Sequence, residues 1–273
     1  MKTLAIVDGP GALAPSELGT ALRVEVRKLV TTRAWLVLGA LSIIVGAVIA
    51  ALSVAGAEPR DMTATDVLTG ALTGAVQTSY LLTAVAGIAC VAGEYRHRTA
   101  TATYLAVPRR ATVITAKLLT LLGYGFVVGV LVMAVCTAIA APWLAQRGFL
   151  HGQLGAAGVT RAVVGGIAAI AVVTALGVGL GALLRSQVAA AAGLMIYLFA
   201  LEPIINTIDA TRGLFPYLPG GAVQALTFSG GHAFGAPDGA NLLNAWQGGL
   251  LITAYAVALT AVAVRTAIKR DIT

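Results

Sequence analysis

Four arginines, Arg96, Arg98, Arg109 and Arg110, share one stretch with Glu94 and Lys117: GEYRHRTATATYLAVPRRATVITAK, Gly93 to Lys117. Long apolar runs flank it on both sides. Cations in such a place do the chemistry of recognition: they attract an oppositely charged surface and fix its register. No motif for covalent or metal chemistry accompanies them. The chain has no G-x-x-x-x-G-K-[ST] phosphate loop, so ATP binding by that route is excluded. G-x-S-x-G and H-E-x-x-H are also absent. Phe228-Ser229-Gly230-Gly231-His232 faintly echoes a nucleotide-hydrolase signature but lacks its context. His97, His151 and His232 sit on separate loops, without metal-ligand spacing. No catalytic residue and no bound cofactor is expected.

The elements that hold the basic stretch follow from composition. The chain is 58% hydrophobic and 11% charged, with a mean hydropathy of +0.90. Soluble domains carry about 25% charged residues. The apolar runs are continuous rather than alternating, which predicts helices in lipid rather than strands. The net charge of +7 is explained by retention of cationic loops on the cytoplasmic side, without invoking nucleic acid. Leu4–Val7 is too short for a signal-peptide core. Cys90 and Cys136 fall inside apolar runs and read as buried structural thiols.

Six spans are predicted: Trp35–Gly56, Val67–Gly93, Leu118–Ala141 stopped by Pro142, Ala162–Leu184, Val188–Leu201 interrupted by Glu202-Pro203, and Ala245–Val264. With the N-terminus inside, 14 of the Lys and Arg residues fall on inner segments and four (Arg60, Arg147, Arg161, Arg212) on outer ones. That split places both termini in the cytoplasm of a cell-membrane protein. The fold class is thus an all-α polytopic membrane protein. Its parts are a disordered tail (1–15), an amphipathic interfacial helix (16–34), a transmembrane domain (35–264) and a cytoplasmic tail (265–273). The domain includes a cytoplasmic loop (93–117) and an extracellular loop (202–244). In the extracellular loop, Ile204–Ile208 and Ala222–Phe228 are apolar but too short to span. They are expected to re-enter the outer leaflet.

In the N-terminal arm, Leu18, Leu22, Val26 and Leu29 recur at helical spacing, while Arg23, Glu25, Arg27 and Lys28 take other faces. Ser16 is a suitable N-cap. The arm is a basic helix lying on lipid, as an anchor alone or also as a partner contact.

The order of these features resembles the permease subunits of ABC exporters of the ABC type-2 family, especially small actinobacterial antibiotic- and lantibiotic-export permeases. The resemblance rests on Glu25-x-x-Lys28 before a first span, Gly93-Glu-Tyr-Arg-x-Arg-Thr99 after a second, and Pro108-Arg-Arg110 before Lys117. It implies six spans, a second permease subunit (the same chain or a sibling), and two separate ATPase subunits that hold ATP and Mg. It also implies a coupling helix near Thr99–Val107, seated in a groove of the ATPase. Thr99, Thr101 and Tyr104 would lie on it, Arg96, Arg98, Arg109 and Arg110 beside it, and Glu94 at the membrane edge. An amphipathic substrate, such as a drug, peptide antibiotic or lipid, is part of the same implication, as is antibiotic or multidrug resistance. Without the resemblance, a merely solvated positive-inside loop accounts for the same cations.

Within the spans, Thr69, Thr73 and Gln77 form one stripe beside Gly70 and Gly74. Gly125 and Gly129, and Gly177 and Gly181, repeat at four residues. Close helix packing explains such spacing, while Thr73 and Gln77 could also line a translocation path. Glu202 lies sixteen residues beyond Ser186, roughly 24 Å of helix rise. It is either a helix end at the outer interface or part of an outer gate. Three rivals to the permease remain. One is a free-standing transporter or channel, disfavoured because no carboxylate lies mid-span. Another is a lipid-modifying enzyme, for which no His, Asp or Glu converge. The third is a non-exporting sensor or immunity protein of the same fold.

Overall fold

A computed structural model describes residues 17–57, 63–96, 110–147, 156–227 and 242–269. Among the described residues there are helices and no strand. The helices are α1 (Glu17–Thr31), α2 (Arg33–Ala55), α3 (Ala64–Arg96), α4 (Arg110–Gln146), α5 (Ala156–Leu184), α6 (Gln187–Ile196), α7 (Glu202–Thr207), α8 (Pro219–Thr227) and α9 (Ala245–Lys269). α2, α3, α4, α5, the composite Gln187–Thr207 and α9 are each long and apolar enough to cross a membrane. The chain is an all-α, multi-pass membrane protein. Its surface agrees: Leu36, Leu41, Ile44, Val48 and Leu52 form an exposed apolar stripe along α2, which water would not tolerate at that length.

α3 and α5 form the centre, packed on each other, with α2, α4 and α9 around them. Small residues set the spacing. A side chain at Gly177 would strike the Ala84 carbonyl, and one at Gly87 the Thr174 carbonyl. Gly181 meets the backbone of Ile88, Gly125 that of Ala171, and Gly129 that of Ile167. Both glycine pairs seen in the sequence are therefore backbone-contact positions. Cys90 and Cys136 are buried and unpaired.

Two boundaries differ from expectation. Pro142 does not stop the third span, because α4 runs through it to Gln146. Proline removes one N–H, whereas ending a helix in lipid would free several groups. Arg147 then turns back, and its Nη1 donates to the carbonyls of Val54 (3.0 Å) and Ala55 (3.1 Å) at the end of α2. Glu202-Pro203 does not interrupt the fifth span either. A wide turn over Tyr197–Leu201 has the Glu202 N–H donating to the Tyr197 carbonyl, five residues back. Pro203 follows directly on that wide turn, so the N–H it lacks falls where the i to i−4 ladder is already shifted. Ile204–Thr207 consequently belongs to that span rather than to a separate piece. The second apolar piece is the short helix α8, whose Ala222, Val223 and Ala225 are buried against α5 and α9. Thr32 is the one non-helical residue between α1 and α2. At Arg185 the backbone is left-handed (φ 52°), turning α5 directly into α6.

Candidate functional site

At the end of the bundle that carries α1, four side chains from three helices close a ring. Lys117 Nζ of α4 donates to Glu25 Oε2 of α1 at 2.8 Å and to Glu94 Oε1 of α3 at 2.7 Å. Lys28 Nζ of α1 donates to Glu25 Oε1 at 2.8 Å and to the same Glu94 oxygen at 2.7 Å. Two ammonium groups and two carboxylates alternate, so the cluster is neutral. It is unevenly exposed: the side chains of Lys117 and Glu25 are each 3% accessible, Glu94 16% and Lys28 39%. Burial makes Coulomb attraction strong and an unpaired member costly.

This ring revises the sequence picture of α1. Glu25 does not take a solvent-facing side: with Ala21 it is buried against the bundle. Val24, Val26 and Val30 are exposed instead. Arg27 is exposed beside them. The physical reason is Lys117, a buried cation that draws Glu25 inward. From sequence, Lys117 stands only at the start of a span, yet it is the hub. The signal was there in α1: Glu25 follows Leu18 by seven residues, two helical turns, which puts an acid on the apolar stripe. Trp35 and Tyr124 brace the same end, ring edge to ring face at 6.2 Å, with Tyr124 Oη donating to the Trp35 carbonyl at 2.8 Å.

The ring anchors both ends of the basic segment. Glu94 lies in the last turn of α3 and Lys117 in the first turns of α4. Arg96 ends α3 and is exposed, and Arg110 begins α4. Arg98, Thr99, Thr101, Tyr104 and Arg109 lie outside the described residues.

The opposite end of the bundle holds a second polar site. Glu202 is 4% exposed and its Oε1 accepts from the Gly220 N–H at 2.9 Å. Gly220 is in the first turn of α8, where free N–H groups favour a carboxylate. A side chain at Gly220 would collide with that carboxylate. A cavity of about 420 Å³ opens beside it, lined by Gln77, Thr78, Glu202, Asn206 and Gln224 among others. Gln77 and Glu202, far apart in sequence, thus face one space. Thr73 does not line it; it is buried inside the bundle and its hydroxyl has no hydrogen-bond partner. Asn206 and Gln224 had no sequence signal, because polar residues in short loop-like pieces look solvated.

The chain matches no protein-family model, and no curated protein matches it.

Proposed function

We propose that the chain is the permease subunit of an ATP-driven exporter of the ABC type-2 kind, working with a second permease and two ATPase subunits. The observation that supports this best is the ion-pair ring. It ties α1 and the ends of α3 and α4 into one unit, with the basic segment 97–109 strung between those two ends. A push on that segment by a partner would reach α3 and α4 together rather than be lost in a loose loop. This chain would contribute no catalysis, with ATP and Mg on the partner. Retention of cations places the ring, Arg96, Arg110, Arg185 and Arg265 on the cytoplasmic side of the cell membrane, with Arg147, Arg161 and Arg212 outside. α1 would then lie in the inner interface with Val24, Val26 and Val30 toward lipid, and α8 would sit within the outer leaflet, shielded by α5 and α9.

Co-purification of the tagged chain in mild detergent, with ATPase activity assayed on the eluate, tests the reading. A stoichiometric ATPase that is lost when Arg96 and Arg98 are changed to Ala is the expected result. A chain that purifies alone under several extraction conditions, without ATPase activity, would point to a free-standing transporter or channel.

A further inference from the structure

We infer that the cavity beside Glu202 binds the ammonium head of an amphipathic amine, with the apolar body lodged in the chamber next to it. The first ground is the lining. Glu202 is the one charged residue on the 420 Å³ cavity, and no Lys, Arg or His lines it among the described residues. Neither Arg161 nor Arg212 lines it. Arg212 donates to the Asn206 carbonyl and pairs with Asp209 at 3.3 Å, and Arg161 donates through Nη2 to the Ala225 carbonyl at 2.6 Å, its Nε being buried without a partner.

The second ground is a pair of unpaired acceptors. Asn206 Oδ1 and Gln224 Oε1 are buried acceptors without a partner, and both residues line this cavity. Each residue is 7% exposed. Buried acceptors are nearly always paired. Two unpaired acceptor oxygens in the wall beside a carboxylate call for a donor, and an ammonium brings three N–H groups. The carboxylate, held by the Gly220 N–H, is itself an acceptor and so leaves both amide oxygens unsatisfied.

The third ground is the neighbouring space. A chamber of about 460 Å³ is lined by Val173, Leu176, Leu180, Leu194, Val223 and Ile252 among others, and carries no charged residue. Tyr80, Leu198 and Gly220 line both spaces. Each is of the size that accepts a drug-like group, about 300–1,000 Å³. A molecule cationic at one end and apolar at the other matches both spaces at once.

The inference rests on the permease reading for what the ligand is, but its test does not. Binding of 4-phenylbutylamine, 4-phenylbutanol and 4-phenylbutyrate to the detergent-solubilised full chain would be measured by calorimetry without ATP. The three share one body and differ in the head. The amine should bind saturably and about tenfold or more tighter than the alcohol, as a charge-assisted contact implies, with the carboxylate weakest. Glu202→Gln should abolish the preference. Because that change also touches α8, Gln224→Leu is the second variant. It leaves the Glu202–Gly220 bond intact, so it should weaken the amine severalfold while raising the melting temperature, since an orphan acceptor is removed. Equal binding of all three probes, or an amine preference that survives both substitutions, would overturn the assignment. A co-purifying ATPase without amine selectivity would sink the amine site and leave the permease standing. Amine selectivity without an ATPase would do the reverse.

Discussion

The two ends of this bundle each bury carboxylates, and they treat them in opposite ways. At the α1 end, two acids meet two lysines and four short hydrogen bonds close the ring. At the far end, one acid meets a backbone N–H and two amide oxygens stay unpartnered. A closed polar network holds elements in register, and any further partner must break it. An open one is costly to fold and is therefore kept where something else completes it. The α1 end has the character of a joint, and the far end that of a receptor.

The largest effect expected from breaking this contrast is at Lys117. Lys117→Met leaves Glu25 buried without its deeper partner and should destabilise the protein by about 3–5 kcal/mol, measured by unfolding in detergent. Adding Glu25→Leu should return much of that loss, because Lys28 and Glu94 still pair. If the double variant is no better than the single, the ring is not a charge network. Next comes Gly220→Leu, which drives a side chain into the Glu202 carboxylate. A loss of about 1–3 kcal/mol is expected, as for overpacked sites, together with loss of amine binding. Lys28→Ala sharpens the comparison from the other side. Lys28 makes the same kind of bonds as Lys117 but is far more exposed, so its removal should cost about 0–1 kcal/mol. Smallest is Arg96→Ala with Arg98→Ala, which should leave the melting temperature unchanged. Any effect should fall on ATPase co-purification alone.

Six long helices and their order were legible in the sequence because lipid demands long unbroken apolar runs, and Trp35–Gly56 or Ala245–Val264 offer no competing pattern. The breaks were less legible. Pro142 and Glu202-Pro203 look like stops in a local reading, yet the energy that decides them is nonlocal: freed backbone groups would have no water. Glu25, Lys28 and Glu94 were visible as charges near span ends, but not as a ring. Their meeting depends on Lys117, 92 residues beyond Glu25, and on the bend at Thr32. The far cavity was hardest. Gln77, Asn206 and Gln224 come from a span, a span end and a short helix, and only the close approach of α8 brings them together.

The wide turn at Tyr197–Leu201 has one more consequence. Ala190, Leu194, Glu202 and Asn206 are all buried, each a multiple of four residues from the next. In a regular helix each four-residue step slips about 40°, so Asn206 would end roughly 160° around from Ala190. A turn closed five residues back holds one residue more than its neighbours and unwinds much of that slip. It acts as an inserted tooth in a gear, advancing the chain by one position without rotating the residues beyond it. A chain shortened by Phe199 should therefore wind as a plain helix and still present its acid toward Gly220. The bulge and the carboxylate can be separated, and the mechanical role of one can be judged without disturbing the chemistry of the other.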